Sequence, residues 1–495
     1  MNFSILFPEL TAVAVMVLLL VKELITGQRK TAPQNTSWFT ALGGVALVAA
    51  SLFLMTGRYG ASFNDTFVLD PLALFFKFLF AGIVLVLIFI SREYFKSRSE
   101  NASEFLLILW SSLIGLFFLA SANDFLLMFV ALETFTLSLY ILAAYAKREL
   151  ASIEAGLKYL VLGSLASAFI IYGVGLIFVA TGSTSFLVIR DAFAANPSSR
   201  LILTGLLFVI AGLGFKIASV PFQLWAPDVY EGAPTPVVAY LSTASKSAGF
   251  LLLLRLLFTV FEPFNTERAL LFSALAAMTL LYGNLGALVQ TNIKRLFGYS
   301  SISHAGYLLI GLAIGDELGI TSILYYLLVY VMANLAAFFI ITVVGRRTGR
   351  HGETGRASLQ SLAGSDGIQA YAGLGKRSPF LAGMMFLALL SLAGVPPLGG
   401  FFGKFMILLT AVRGGYTNLA LLGSILVAVS LYYYLNLVRV MYFSAEGGPA
   451  SGGDAIHVPV SCKTVLILLA AGIIVAGLWQ APFFAVVQQA AKSLF

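Results

Sequence analysis

Continuous apolar runs of about 20 residues recur from one end of this chain to the other, and that repetition leaves few folds open. A helix needs about that length to cross the hydrocarbon core of a bilayer. The runs do not alternate in polarity, so they read as helices and not as barrel strands, the only other structure that satisfies its backbone in lipid. They are expected at 5–25, 38–57, 71–91, 104–121, 124–146, 156–181, 201–221, 236–261, 269–291, 300–315, 318–345, 380–411, 417–443 and 463–487. Only 11% of the 495 residues are charged, against about 25% in a soluble domain, which is too little polarity to cover a water-exposed surface. The expected fold is therefore all-α, a polytopic membrane protein of about fourteen transmembrane helices. The bias is uniform, so 1–495 reads as a single membrane domain.

The formal charge of +8 does not imply nucleic acid, because the basic residues sit at span ends rather than in an aromatic-interleaved stripe. They report topology instead. Seventeen Lys and Arg follow the odd-numbered spans, and six (Arg58, Arg190, Arg200, Arg268, Arg413, Lys492) follow the even ones. The odd connections are thus expected in the cytoplasm and both termini outside. Residues 1–20 are apolar but lack a basic start and a small-residue cleavage site, so they read as the first span. A lone cysteine, Cys462, excludes an intrachain disulfide or thiolate cluster. Three scattered histidines suggest no metal site, and no cofactor-binding motif or hydrolase elbow occurs. The longest connection, 345–379, reads as a cytoplasmic loop with a short amphipathic element, or else as a linker; 447–453 reads as a flexible turn.

Two long segments are interrupted in related ways. Gly212-Leu-Gly-Phe-Lys216-Ile-Ala-Ser-Val-Pro221 ends span 7, and Ala393-Gly-Val-Pro396-Pro397-Leu-Gly-Gly-Phe-Phe-Gly-Lys404 interrupts span 12. Each joins helix-breaking Gly and Pro to one lysine. An offset of five spans inverts the direction of travel, and paired broken helices in inverted halves point to a transporter-type site. The expected organisation is spans 1–3 in 1–103, a first five-helix repeat (spans 4–8) in 104–262, an inverted second repeat (spans 9–13) in 269–443, and span 14 in 463–487.

The few charges inside spans carry the functional reading. Glu133 lies about 9 residues into span 5, roughly 14 Å deep at 1.5 Å per residue, and Lys246 is similarly deep in span 8. Lys216 and Lys404 lie within the broken spans. Each charge costs about 2.5–3.5 kcal/mol at a helix centre, so all four are expected to face the bundle interior, water or one another. An ion pair of Glu133 with Lys216 would keep both charged, and loss of the partner would push the lysine toward its neutral form; such bistability suits a proton relay. The competing reading is a set of packing charges.

His304 and Lys158 are secondary candidates. A lone His among small residues is either a proton shuttle or a hydrogen-bonded packing residue, and Lys158 near the start of span 6 either feeds the relay or snorkels to the surface. Lys294 and Arg295 read as topology anchors, Asp124 as a helix N-terminal charge, and Asp228 and Glu231 as caps or covers of the pocket.

At these residues the chain resembles the antiporter-like subunits of proton-pumping NADH:quinone oxidoreductase, respiratory complex I. Three stretches carry the resemblance: Phe215 to Pro236 with its Trp-Ala-Pro-Asp-Val-Tyr string, Asn292 to Tyr307 with Tyr-Ser-Ser-Ile-Ser-His-Ala-Gly-Tyr, and Gly394 to Lys404. These strings, and a lysine in span 12, are nearer to the subunit N branch (the counterpart of mitochondrial subunit 2) than to the L and M branches. The resemblance implies a proton half-channel at Glu133 and Lys216, a central relay at Lys246 and an exit-side lysine at Lys404. It implies NADH, FMN, iron–sulfur clusters and quinone in the whole complex and no cofactor in this chain. The implied partners are other membrane and peripheral subunits, including a neighbouring antiporter-like one, in the cell inner membrane. Two departures stand out. Gln223 occupies the place of a usual His, and the enlarged loop 346–379 lacks the usual Asp before Tyr371. A subunit of a multi-subunit sodium/proton antiporter is the rival reading.

Overall fold

A computed structural model describes residues 3–26, 35–96, 100–262, 264–348, 366–443 and 455–495. The chain runs through helices α1 (Phe7–Thr26), α2 (Asn35–Met55), α3 (Pro71–Phe95), α4 (Ala102–Ala120), α5 (Phe125–Ala143) and α6 (Leu150–Thr181). It continues through α7 (Phe186–Ala195), α8 (Arg200–Ile217), α9 (Trp225–Gly232), α10 (Thr235–Val260), α11 (Asn265–Leu288), α12 (Ile293–Ile314) and α13 (Glu317–Thr348). Then come α14 (Pro379–Ala393), α15 (Gly399–Arg413), α16 (Thr417–Phe443), α17 (Val460–Leu478) and α18 (Ala481–Lys492). Among the described residues twelve helices are long and apolar enough to cross a membrane; α14 and the 40–55 part of α2 are apolar but shorter.

Helix starts follow local chemistry. Asp70 caps α3, its Oδ1 accepting from the Ala73 amide at 2.7 Å just before Pro71. Asp124 caps α5 through Leu126 N at 2.7 Å, and Asn292 caps α12 through Arg295 N at 3.1 Å. Such caps satisfy amides that the first turn leaves free. The interior is α10, α12 and α13: the most apolar 18-residue stretch of α10 is wholly buried, and nearly nine-tenths of the corresponding stretches of α12 and α13 is too. By contrast α6, α11 and α17 are only about one-third buried, so the outer helices carry the lipid-facing surface.

The structure corrects several expectations. A short antiparallel hairpin, β1 (Gly60–Ser62) with β2 (Phe67–Leu69), lies in the connection before α3, where the apolar-run argument saw no strand because it addressed only spanning segments. The connections 182–200 and 222–235 each contain a helix, α7 and α9. Span 14 is not one helix: it breaks at Trp479–Gln480 and resumes at Ala481 with Pro482 in its first turn, a position proline tolerates. Span 12 is two half-helices, α14 and α15, separated by Gly394–Leu398. Gly394 closes α14 with φ +85°, a left-handed conformation that side chains resist. Most of the expected amphipathic element in 345–379 falls on 349–365, and the 447–453 turn on 444–454, both outside the described residues.

Candidate functional site

Three of the four sequence-selected charges, Lys216, Lys246 and Lys404, are buried in the bundle, and Glu133 on α5 is half-buried. Lys216, Lys246 and Lys404 are each 2% exposed, and each is held differently. Lys216 ends α8, one residue before Ile217, and Ala218 turns the chain left-handed at φ 56°; Pro221 follows in the turn to α9. The Lys216 ammonium lies 5.8 Å from the Tyr140 ring centre and 5.9 Å from that of Phe215, and it has no hydrogen-bond partner among the described residues. The expected contact ion pair with Glu133 is absent from this arrangement. Glu133 instead accepts a hydrogen bond from Ser167 Oγ on α6 at 2.6 Å. The carboxylate remains within charge–charge range of Lys216, so the two are coupled through space rather than in contact.

Lys404 stands in α15, yet its ammonium reaches back across the break. It donates to Leu392 O at 2.8 Å and Ala393 O at 3.2 Å. These are C-terminal carbonyls of α14, the acceptors that a helix end leaves unpaired. The ammonium also lies 4.8 Å from the Tyr307 ring centre, within cation–π range. Pro396 and Pro397 lie in the loop that makes this possible. Gly400 is the tight point: a Cβ there would collide with the Ser391 carbonyl, so only glycine lets the half-helices cross. Lys216 stands in the last turn of α8 and Lys404 reaches the last carbonyls of α14, and each ammonium lies near a tyrosine ring, Tyr140 at 5.8 Å and Tyr307 at 4.8 Å. Helix dipoles favour cations at a helix's last turn.

Lys246 follows a wider, π-helical turn at Leu241–Ser245 within α10, a local form frequent at functional sites. Its ammonium donates to the Ser301 carbonyl of α12, and Ser301 Oγ exchanges a hydrogen bond with Tyr230 OH at 2.9 Å. His304, one turn further along α12, is 1% exposed. Its Nδ1 meets Tyr326 OH at 2.5 Å and its Nε2 meets Tyr434 OH at 3.0 Å, while Tyr434 OH also bonds Ser300 Oγ. The imidazole lies within charge–charge range of both Lys246 and Lys404. Gln223 is buried with its Oε1 unpaired among the described residues.

Lys158 belongs to another group. It pairs with Glu154 and Asp228, each at 2.9 Å, and its side chain is 42% exposed. Arg295 bonds Asp228 and Glu231, each at 2.8 Å, so Asp228 and Glu231 join α6, α9 and α12 rather than cover a pocket. Lys294, expected only as an anchor, pairs with Asp366 at 2.7 Å. Burial alone would raise the Asp228 carboxyl, but hydrogen bonds and charges from Lys158 and Arg295 outweigh it and hold Asp228 below its ordinary 3.8. A depressed carboxyl contributes stability above its ordinary value and loses it only as pH falls through the lowered one. Asp228→Asn is therefore expected to lower thermal stability by the same amount at pH 5 and pH 8, with the gap closing only below about pH 4. A gap that varies between pH 5 and 8 in melting curves would contradict this assignment.

Four charged residues escaped the sequence reading. Glu9 in α1 and Lys77 in α3 form an ion contact at 2.5 Å with both side chains fully buried. Arg255 in α10 binds both Asp70 oxygens, at 2.8 and 3.1 Å, and donates to Ala120 O at 3.0 Å. The insertion-cost argument applies to Glu9, Lys77 and Arg255 too.

Similarity to known proteins follows this architecture. A family described as NADH:quinone oxidoreductase/Mrp antiporter, transmembrane, matches residues 122–430. NADH-quinone oxidoreductase subunit N of Granulibacter bethesdensis is 37% identical over 499 residues, covering 100% of both chains. A chain in the structure of respiratory complex I from Thermus thermophilus with bound Aureothin superposes with a TM-score of 0.79 at 31% identity, covering 97% of this chain and 98% of that one. A chain of the Mrp complex from a Dietzia species has a TM-score of 0.83 over 100% of this chain and 98% of that one, at 19% identity, a likeness of fold alone. With the family matched across most of the chain, and with relatives of subunit N aligned end to end, the chain belongs to the antiporter-like membrane subunits of NADH:quinone oxidoreductase.

Proposed function

We propose that this subunit carries protons along a line of buried lysines: half-buried Glu133 biases Lys216, Lys246 is the central station, and Lys404 is the exit-side station, with His304 between the last two. The observation that carries the reading is His304, both of whose ring nitrogens are hydrogen-bonded to tyrosine hydroxyls between the Lys246 and Lys404 sites. A buried histidine needs a partner at each nitrogen whatever its role. What favours a relay here is that both partners are hydroxyls, which can themselves give and take a proton, so a hydrogen-bonded path runs through Tyr326, His304 and Tyr434. In this scheme Lys158 is a member of the surface ion network rather than a station.

The inverted repeats, 104–262 and 269–443, are part of the same proposal. Tyr140 follows Glu133 by seven residues in α5 and faces Lys216; Tyr307 follows Ser300 by seven in α12 and faces Lys404. The second half thus repeats the first with a serine in place of the glutamate. Orientation rests on the Lys/Arg count: odd connections in the cytoplasm, both termini outside, in the cell inner membrane.

Quinone reduction and the groups that perform it (NADH, FMN and iron–sulfur clusters) belong, in this reading, to other subunits. Their energy reaches this chain as a change of charge at the neighbouring antiporter-like subunit or at Glu133. Moving one proton against about 100 mV needs roughly 2.3 kcal/mol, and a hundredfold change in proton affinity supplies about 2.7 kcal/mol. The electrostatic drive is adequate in size. Lys246→Ala in the purified complex, reconstituted in vesicles, is expected to assemble and to lose most proton translocation. Normal translocation by an assembled Lys246→Ala complex overturns the relay.

A further inference from the structure

The Glu9–Lys77 pair lies outside the 122–430 segment shared with the family and outside the line just described. The two side chains touch at 2.5 Å at 0% exposure. Beyond that contact neither carboxylate oxygen of Glu9 nor the Lys77 ammonium has a hydrogen-bond partner among the described residues. The Phe67 ring of β2 lies 5.0 Å from the ammonium. A buried ion pair stabilises a fold only when further hydrogen bonds satisfy its remaining lone pairs and protons, and otherwise an apolar pair of equal volume serves as well or better.

The neighbouring Arg255–Asp70 pair shows what a structural clamp looks like. There the guanidinium holds both carboxylate oxygens and the last carbonyl of α4, and Asp70 also caps α3. Glu9–Lys77 has none of this support. Instead it completes an alternating series: Glu9, Lys77, then Asp70 two turns back on α3, then Arg255 on α10. Arg255 lies nine residues from Lys246, about 14 Å along one helix. The other helices packed on α1 and α3 carry few charges, and Lys463 stands in the first turn of α17. Asn35–Met55 has none, Ala102–Ala120 has only Glu104 in its first turn at the opposite end, and Glu317 of α13 and Lys492 of α18 pair with each other at 3.9 Å.

We propose that Glu9 and Lys77 form a proton-holding site in the N-terminal three helices, coupled through Asp70 and Arg255 to the helix of Lys246. A proton reaching this site forms an O–H bond on Glu9 and frees the Lys77 ammonium from its counter-charge, leaving Asp70 as the nearest anion. Asp70 then shares its charge between Lys77 and Arg255, and the weaker hold on Arg255 changes the field along α10. Release breaks the O–H bond and restores the pair, so charge and protons balance over a cycle. The coupling rests on the relay reading of Lys246; the site itself does not.

The test uses the whole complex in vesicles with the double substitution Glu9→Gln and Lys77→Met, which keeps volume and removes both charges. The expected result is an assembled complex that moves fewer protons per electron pair. Assembly with unchanged stoichiometry overturns the proposal and leaves a packing pair. If the double variant does not assemble, Glu9→Asp keeps the carboxyl, and difference infrared spectroscopy during turnover is read instead. A shifted protonated-carboxyl band supports the site, and a spectrum identical to the parent overturns it. Lys246→Ala measured alongside separates the two ideas: unchanged pumping there sinks the relay, whereas a changed Glu9→Asp band still stands for the site.

Discussion

Lys404→Arg is expected to stop proton translocation as completely as Lys404→Ala, while the arginine variant assembles normally. The ammonium of Lys404 is held by Leu392 O and Ala393 O and by the Tyr307 ring, and a guanidinium can make the same kinds of contact. Arginine, however, does not give up its proton in proteins. If the group's role were only to supply positive charge at the carbonyl end of α14, arginine would replace it. If the role is to accept and release a proton, arginine fails. Without a titrating group the proton must cross this stretch unsupported, at a cost of about 2.5–3.5 kcal/mol for a charge at membrane depth, which slows transfer roughly a hundredfold. Vesicle acidification by the reconstituted complex measures this directly. Strong pumping by the arginine variant would reduce Lys404 to a fixed charge.

The second large effect concerns the crossing of the half-helices. Gly400→Val places a branched side chain against the Ser391 carbonyl, in backbone that cannot swing away as a side chain would. Overpacking of this kind costs about 1–3 kcal/mol and at times more. Because Ser391 immediately precedes Leu392, relief of the clash moves the carbonyls that hold Lys404. Both the melting temperature of the complex and its proton translocation are therefore expected to fall together. A variant that melts early but pumps normally would show that the carbonyl contacts are dispensable.

Much of this architecture was legible in the sequence for identifiable reasons. Spans follow from apolar length, breaks from Pro and Gly, and the burial of Lys216, Lys246 and Lys404 from their places inside apolar runs. Their partners were not legible. Every residue carries a carbonyl, so nothing in the letters marks Ser301, Leu392 and Ala393 as the acceptors that hold two lysines. Ser167 reaches Glu133 from 34 positions away, and the serine was one of many. The expected Glu133–Lys216 contact failed for a related reason: opposite charges on neighbouring helices invite pairing on paper, but helix rotation decides which side chains meet. Glu9 and Lys77, 68 positions apart, were each visible as a charge in a span, and only the packing of α1 against its neighbours turns them into one site.

The acceptors of Lys404 are main-chain atoms, and this sets how the site can change over generations. No substitution at Leu392 or Ala393 deletes a carbonyl, so both positions are free to drift among residues that keep the helix. Variation able to silence this station falls on Lys404 itself, on Tyr307, whose ring faces the ammonium, and on the few positions that bend the chain, Gly394, Pro396, Pro397 and Gly400. A side-chain counter-ion would have offered a codon at which the acceptor itself could be deleted; here single changes can only displace the acceptors, through the backbone that carries them.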